Sequence, residues 1–359
     1  MTAPFVPGLD LARDFYAAVV QPLLDEGFPG LAYAAALLGP GSDVAGFDTE
    51  RSTDHDWGPR LQVFLMDNDA GRQAGPVADM LASRLPDTFR GYPVRFPLAK
   101  EPNGVARHRV EVTGLGSWLT AWLGFDPRRQ PTLLDWLATP TQRLAEFTVG
   151  EVFHDGPGEL TRARQHTAWY PDDVWRYVLA CQWQRIDQEE PFPGRCAEVG
   201  DDLGSRIVTA RLARDLMRLC LLMRRRYPPY SKWLGTAFAR YAGEGELTAA
   251  LDAAISADGY PAREGHLTRA LTAAAAMHNE LRLTPALDTS TRGFYDRPFQ
   301  VLGAARFTRA LLDTITDPQL TSLPLTGAID QFADSTDAAG NVSFLRACAA
   351  AACRQPGNR

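Results

Sequence analysis

The hydrophobic pattern of the chain changes near residue 131, and this change constrains the fold more than any other feature. Before it, patterns typical of helices alternate with patterns typical of strands. Apolar residues at helical spacing predict a helix over residues 9–26 and a second amphipathic helix in GPVADMLASRLPDTF. Strands are predicted in GLAYAAALL, DWGPRLQVFLMD and RHRVEVTGL, with a short edge strand in YPVRFPL.

After residue 131 nearly every stretch favours helix, as in DDVWRYVLACQWQRI and IVTARLARDLMRLCLLMRRRY. Strand-like stretches are scarce in this part. We therefore predict an α/β domain over residues 1–130 and a helical, substrate-binding domain over residues 131–352. The last residues, 353–359, are predicted to be a disordered tail.

Composition excludes several classes of protein. The formal net charge of −6 argues against a general nucleic-acid binder, which needs a basic face. The five cysteines form no CxxC pair, so neither a disulfide framework nor a zinc site is indicated. The first residues do not have the pattern of a signal peptide, and no apolar run approaches the length of a membrane span. A cytoplasmic protein is expected.

Two aspartates, Asp54 and Asp56, directly precede the apolar run that begins at Leu61. In extended backbone, residues i and i+2 point to the same side, so both carboxylates would face one way. Two like charges at that distance favour a cation between them, and Mg²⁺ prefers oxygen ligands. The alternative is that Asp54 caps a turn and Asp56 is solvated, which is the commoner role of an isolated D-x-D pattern.

Two further features favour the metal site. Gly41 and Ser42 end the preceding strand, and with Gly46 they form a turn whose N–H groups and hydroxyl suit phosphate oxygens. Glu111 lies between valines in RVEVTGL, so its carboxylate faces away from their core side and could join the two aspartates at the edge of the sheet.

These residues carry a family resemblance. GPGSDVAGFDTERSTDHDW resembles the glycine-serine and D-x-D signature of the nucleotidyltransferase superfamily, which has the DNA polymerase β-like fold. RVEVTGL resembles the strand that supplies the third carboxylate in aminoglycoside adenylyltransferases. SxDHDWGPRL, YPPYSKWLGTAF and FYDRPFQVL together resemble the uncharacterised DUF4037 family over most of the chain. The resemblance implies a mixed sheet with helices in the first domain.

The resemblance also implies a set of roles. Asp54, Asp56 and Glu111 would hold Mg²⁺, and Glu111 would act as general base on an acceptor hydroxyl. Gly41 and Ser42 would hold the phosphates of ATP or another nucleoside triphosphate. Two cationic side chains could neutralise phosphate charge or simply lie at the surface, and both alternatives stay open for Arg60 and Lys232.

The predicted function is Mg²⁺-dependent transfer of a nucleotide, AMP from ATP, to a hydroxyl of a small molecule. The alternatives are nucleotidylation of a protein or a tRNA, and a nucleotide-binding regulator without turnover. Nucleic acid is disfavoured as a partner by the acidic charge, and no membrane partner is indicated. Two acidic pairs could hold a cationic acceptor, or cap helices and face solvent: Glu189–Glu190 and Asp201–Asp202.

Overall fold

A computed structural model describes residues 4–97, 106–243 and 245–354 of the chain. The chain divides into two compact units. The first contains the described residues up to Asp135 together with Arg143–Ala168, and the second contains Trp136–Gln142 and the described residues from Trp169 onward.

The first unit combines short and long strands with helices. Its strands are β1 (Tyr33–Leu37), β2 (Arg60–Leu65), β3 (Thr88–Phe89), β4 (Tyr92–Pro93), β5 (Arg95–Phe96), β6 (Arg107–Gly114) and β7 (Glu151–Asp155). Its helices are α1 (Gly8–Phe15), α2 (Gln21–Gly27), α3 (Asp67–Arg84), α4 (Leu115–Leu123), α5 (Leu133–Ala138), α6 (Thr141–Thr148) and α7 (Glu159–His166). A π-helical turn, Tyr16–Val20, joins α1 to α2, and a 3₁₀ helix spans Glu50–Asp54.

Five of these strands form a mixed sheet in the order β5-β6-β2-β1-β7. β1 pairs antiparallel with both β2 and β7, whereas β2 and β6 pair in parallel. A parallel pair needs a crossover connection, and α3 lies in the segment between β2 and β6. The predicted α/β class of this part of the chain is confirmed.

The apolar run of β2 is continuous because both faces of the strand are covered. On one face, Leu61, Val63 and Leu65 belong to a buried cluster that includes residues from the α1–α2 region and from α3. On the other face, the ring of Phe64 packs edge-on against Trp118 of α4, with centroids 5.1 Å apart. The central strand is therefore fixed from both sides, and its N-terminal end is held in place.

The second unit is helical, as predicted. Its helices are α8 (Asp172–Glu189), α9 (Phe192–Glu198), α10 (Asp202–Met223), α11 (Ser231–Ala242), α12 (Glu246–Ser256), α13 (Tyr260–Glu280), α14 (Ala305–Leu312), α15 (Pro318–Thr321), α16 (Ile329–Phe332), α17 (Thr336–Ala339) and α18 (Val342–Ala352). Two short strands, β8 (Arg292–Gly293) and β9 (Gln300–Val301), pair with each other.

The boundary between the units differs from the predicted one at residue 130. β7 lies beyond that point and completes the sheet at the side of β1, which extends the first unit to Ala168. At the other end, α18 stops at Ala352, and Cys353 and Arg354 follow it. The rest of the predicted tail, residues 355–359, lies outside the described residues.

Throughout the part of the chain that the structure describes, no helix combines the length and the apolarity that crossing a bilayer requires.

A buried histidine makes the stability of the second unit dependent on pH. The Nδ1 atom of His278 accepts a hydrogen bond of 3.2 Å from the Trp183 indole, whose ring stacks on Phe307. Burial lowers the pKa of His278 to about 4. The unfolded chain therefore binds a proton below about pH 6.5, whereas the folded chain does so only near pH 4.

We expect this difference to remove about 3 kcal/mol of stability as the pH falls from 6.5 to 4, with the full contribution present above pH 6.5. The measurement is urea unfolding across that range for the wild type and His278→Gln. The variant should lose less stability on acidification than the wild type. His55→Gln removes an exposed histidine and should follow the wild-type curve. Parallel curves for wild type and His278→Gln would contradict the prediction.

Candidate active site

The predicted site residues of the first unit meet at one end of the sheet. The antiparallel register places Ala36 opposite Gln62, so the C-terminal end of β1 lies beside the N-terminal end of β2. The parallel register then places Glu111 of β6 opposite the same glutamine. The Gly41–Ser42 turn follows β1, and Asp56 closely precedes β2. Three segments that are distant in sequence, residues 36–42, 54–62 and the middle of β6, therefore converge at this end of the sheet.

Gly41 is required by what lies next to it. Its φ of +146° is rarely adopted by residues with a side chain. A Cβ atom at this position would stand 2.1 Å from Oδ1 of Asp43 and 2.2 Å from a guanidinium nitrogen of Arg60. The glycine thus makes room for an ion pair, which the sequence pattern alone did not indicate.

Replacement of Gly41 by alanine should therefore be costly. We expect a loss of about 1–3 kcal/mol from the backbone alone, with a further loss from displacement of the ion pair. Gly71→Ala provides the control, because Gly71 lies within α3 and its Cβ would meet nothing within 4 Å. Chemical denaturation of both variants measures the difference. Equal stability of the two variants would show that the space around Gly41 is not limiting.

Arg60 and Asp43 form this ion pair. Nε of Arg60 donates to Oδ2 of Asp43 at 2.9 Å, and a terminal nitrogen donates to Oδ1 at 2.6 Å. The same terminal nitrogen also donates to the carbonyl of Pro40. Burial opposes the charge of Arg60, but the carboxylates of Asp43, Asp56 and Asp48 outweigh it and keep its pKa above the ordinary value. Arg60 is therefore engaged by the protein itself.

The two predicted aspartates lie in a turn rather than in a strand. Asp54 ends the 3₁₀ helix, and its Oδ1 is 2.6 Å from Nδ1 of His55, with both side chains exposed. Asp56 has a left-handed backbone with φ of +52°. The expectation that both residues are extended and face one side is therefore wrong in this structure.

The buried Trp57 accounts for this local conformation. Its indole N–H donates to Asp48 at 3.1 Å, and its ring meets Tyr92 edge-on at 4.9 Å. Gly58 has a φ of +149°, and a Cβ there would clash with Phe96 at 2.8 Å. The chain is thus anchored at residues 57–58 before β2 begins, which leaves the aspartates in the preceding turn.

Glu111 is the most available carboxylate at this end of the sheet. Its side chain forms no hydrogen bond or ion pair with any residue in the described ranges, and the residue is exposed. Protein atoms around the carboxylate nevertheless remove enough water to raise the pKa of Glu111 above its ordinary value. Beside it, the amide of Gln62 is bound to the backbone N–H and carbonyl of Leu38.

Mg²⁺ is the metal that the family resemblance implies, and the three carboxylates do not fit it as placed. Within residues 4–97, 106–243 and 245–354, no group of three or more Asp, Glu, His or Cys side chains could hold a metal ion. On the strand, the positions of β2 that share a face with Gln62 are Arg60 and Phe64, neither of them acidic. The metal-binding roles of Asp54, Asp56 and Glu111 stay a proposal.

Lys232 lies in the second unit, near the start of α11. Its side chain is exposed, and Nζ lies 5.0 Å from the centre of the neighbouring Trp233 ring. This geometry is that of a surface lysine resting on an aromatic ring. The proposed contact with a triphosphate stays a prediction.

The acidic pairs in the second unit have structural partners. Asp201 caps α10, and Glu190 accepts three backbone N–H groups. The remaining members, Asp202 and Glu189, bind Arg263 and Arg211, respectively. These contacts favour the structural alternative that the sequence left open.

Asp43, the partner of Arg60, was not among the predicted site residues, although this aspartate directly follows Gly41–Ser42 in the motif GSD.

Three comparisons with known proteins bear on identity. One solved structure is a nucleotidyltransferase-like protein from Exiguobacterium sibiricum 255-15. It is similar over 77% of this chain and 78% of that chain, with 11% sequence identity and a TM-score of 0.31, values too low to carry an argument. No curated protein matches the sequence. Residues 136–234 match the model of the family described as Domain of unknown function (DUF4037).

The matched segment covers less than a third of the chain and lies mostly in the second unit, with Arg143–Ala168 in the first. The predicted similarity to aminoglycoside adenylyltransferases stays a prediction. The resemblance to DUF4037 is confirmed for residues 136–234. The predicted resemblance over most of the chain stays a prediction, because the motifs SxDHDWGPRL and FYDRPFQVL lie outside the matched segment.

Proposed function

We propose that this protein is a nucleotidyltransferase that moves AMP from ATP to a hydroxyl of a small molecule. The DUF4037 description assigns no activity, so the proposal rests on one observation. A glycine-serine turn, two aspartates and the carboxylate of Glu111, which has no partner among the described residues, converge at one end of a mixed sheet. The glycine-serine turn could hold phosphates, and the carboxylate of Glu111 could accept a proton.

In this proposal, the Gly41–Ser42 turn contacts the phosphates of ATP through N–H groups and the serine hydroxyl. Glu111 takes the proton of the acceptor hydroxyl, whose oxygen forms a bond to the α-phosphorus. The bond between the α-phosphorus and its bridging oxygen breaks, and pyrophosphate leaves with the electron pair. The raised pKa of Glu111 suits a base, because a carboxylate of higher pKa binds a proton more strongly.

Mg²⁺ enters the proposal as part of the ATP complex, which is the substrate. Asp54 is exposed and Asp56 half-buried, so both are candidates to contact that complex. Because the described carboxylates form no ready ligand set, the steps above use only groups of the chain.

Pyrophosphate release tests the proposal. The protein is incubated with ATP, Mg²⁺ and a panel of hydroxyl compounds, and we expect release that depends on one acceptor class. Asp54→Asn and Asp56→Asn should weaken it. Glu50→Gln, which changes an exposed acid of the same 3₁₀ helix, should leave it unchanged. Label transfer only to protein or RNA in a lysate would replace the small-molecule acceptor by a macromolecule.

A second candidate is a nucleotide-binding regulator without turnover. Two observations favour it: the carboxylates are not assembled, and Arg60 is held by Asp43. Mg²⁺-dependent binding of ATP without pyrophosphate release, for any acceptor, would support the regulator and exclude the transferase.

A further inference from the structure

The second unit contains an arginine-lined cavity of about 360 Å³. This volume is in the range of small-molecule sites. Arg185 of α8 lies in its wall, and the other three arginines, Arg211, Arg214 and Arg218, come from α10. Their spacing of three and four residues places the α10 arginines on one face of that helix. All four arginines lie within residues 136–234, the segment that matches DUF4037.

The inner part of the cavity is fixed by buried contacts. Asp215 is 2% exposed, and its carboxylate accepts bonds of 3.2 Å from both Gln182 and Arg185. Arg218 is also buried and donates to Oδ2 of Asp330 at 2.6 Å. Because these partners are fixed, the arginine face is held in place before any ligand binds.

The outer part is held by two ion pairs, each with one exposed partner. Arg214 binds Asp334, whose carboxylate side chain is 67% exposed. Arg211 is more than half exposed and binds Glu189. Exposed ion pairs contribute little stability, so a stronger anion can displace the carboxylate of Asp334.

We propose that this cavity binds a phosphomonoester. The phosphate contacts Arg211 and Arg214 in place of Asp334. A ligand carboxylate would merely exchange one carboxylate for another on Arg214. A phosphate dianion has three oxygens and twice the charge, so it can bridge both outer arginines.

The phosphomonoester could be a sugar phosphate or a nucleotide, and Phe332 separates the two sources. This residue lines the cavity and is 42% exposed, so its ring can stack on a base. Tighter binding of AMP than of ribose 5-phosphate, with the advantage lost in Phe332→Ala, would identify a nucleotide. Equal binding of the two compounds in wild type and Phe332→Ala would identify the sugar phosphate.

Isothermal titration calorimetry with ribose 5-phosphate and AMP on the full chain tests the site. We expect saturable binding that falls at least tenfold in Arg211→Gln and in Arg214→Gln. Arg206→Gln is the matched control, because Arg206 also lies on α10 in an exposed pair with an aspartate but outside the cavity. Its affinity should equal that of the wild type.

Two results would overturn the site. One is the absence of saturable binding of both compounds to the wild type. The other is equal affinity in wild type, Arg211→Gln and Arg214→Gln, with thermal melting confirming that both variants are folded.

Discussion

Replacement of Glu111 by glutamine should lower the rate of nucleotidyl transfer by about 10²–10⁴-fold, the range that general-base catalysis contributes. Glutamine has almost the same shape but cannot take a proton from the acceptor hydroxyl. Because the Glu111 side chain has no protein partner among the described residues, the change should leave the fold unaffected. The measurement is the initial rate of acceptor-dependent pyrophosphate release at saturating ATP.

The pH profile distinguishes a base from a structural residue. In the wild type, the rate should fall as the pH drops through the raised pKa of Glu111, because the carboxylate becomes protonated. Glu111→Gln should lack this acidic limb. Glu50→Gln changes an exposed acid of the same unit. This variant should retain both the wild-type rate and the acidic limb of the pH profile. A Glu111→Gln enzyme within about threefold of the wild-type rate would exclude Glu111 as the base.

Replacement of Glu190 by alanine should destabilise the second unit by about 3–5 kcal/mol. The carboxylate of Glu190 accepts the backbone N–H groups of Leu302, Gly303 and Ala304 at 2.6–2.9 Å. Each buried N–H left without an acceptor costs about 1–3 kcal/mol. Burial raises the pKa of Glu190 to about 7, against the three N–H groups, which lower it. The unfolding measurement therefore belongs at pH 8, where the carboxylate is charged.

Glu189→Ala is the adjacent control. Glu189 forms an ion pair with the exposed Arg211, and such a pair contributes at most about 1 kcal/mol. The two variants remove the same atoms one residue apart, so their difference isolates the three backbone bonds. A free energy of unfolding of Glu190→Ala within about 1 kcal/mol of the wild type would mean that other acceptors replace the carboxylate.

Periodicity predicted the type of most elements correctly. The apolar spacing over residues 9–26 corresponds to α1, the π-helical turn and α2, and the run after Pro59 corresponds to β2. The strand β7 was missed because EVFHD is short and all five of its residues are only half-buried. Such a strand has no clear alternation, and its pairing with β1 and the packing of Phe153 against the core become visible only in the fold.

Local backbone direction on strand β6 of the candidate site was predictable from the sequence, but the contacts of the site residues were not. Glu111 was correctly expected to face away from the core side of its strand, because alternation along a strand is a local property. The conformation of Asp54 and Asp56 was not predicted correctly. It depends on the contacts of the buried Trp57 with Asp48 and Tyr92. Neither partner is adjacent to Trp57 in the sequence.

The sequence by itself determined the order of the sheet and helical parts and the resemblance to DUF4037. Only the tertiary structure decided which charges meet. The pairing of Asp43 with Arg60 follows from the register of β1 against β2, and the cavity arginines meet because α8, α10 and α16 pack around one space. Local periodicity shows which way a residue faces on its own element, whereas a contact also requires the register and packing of a second element.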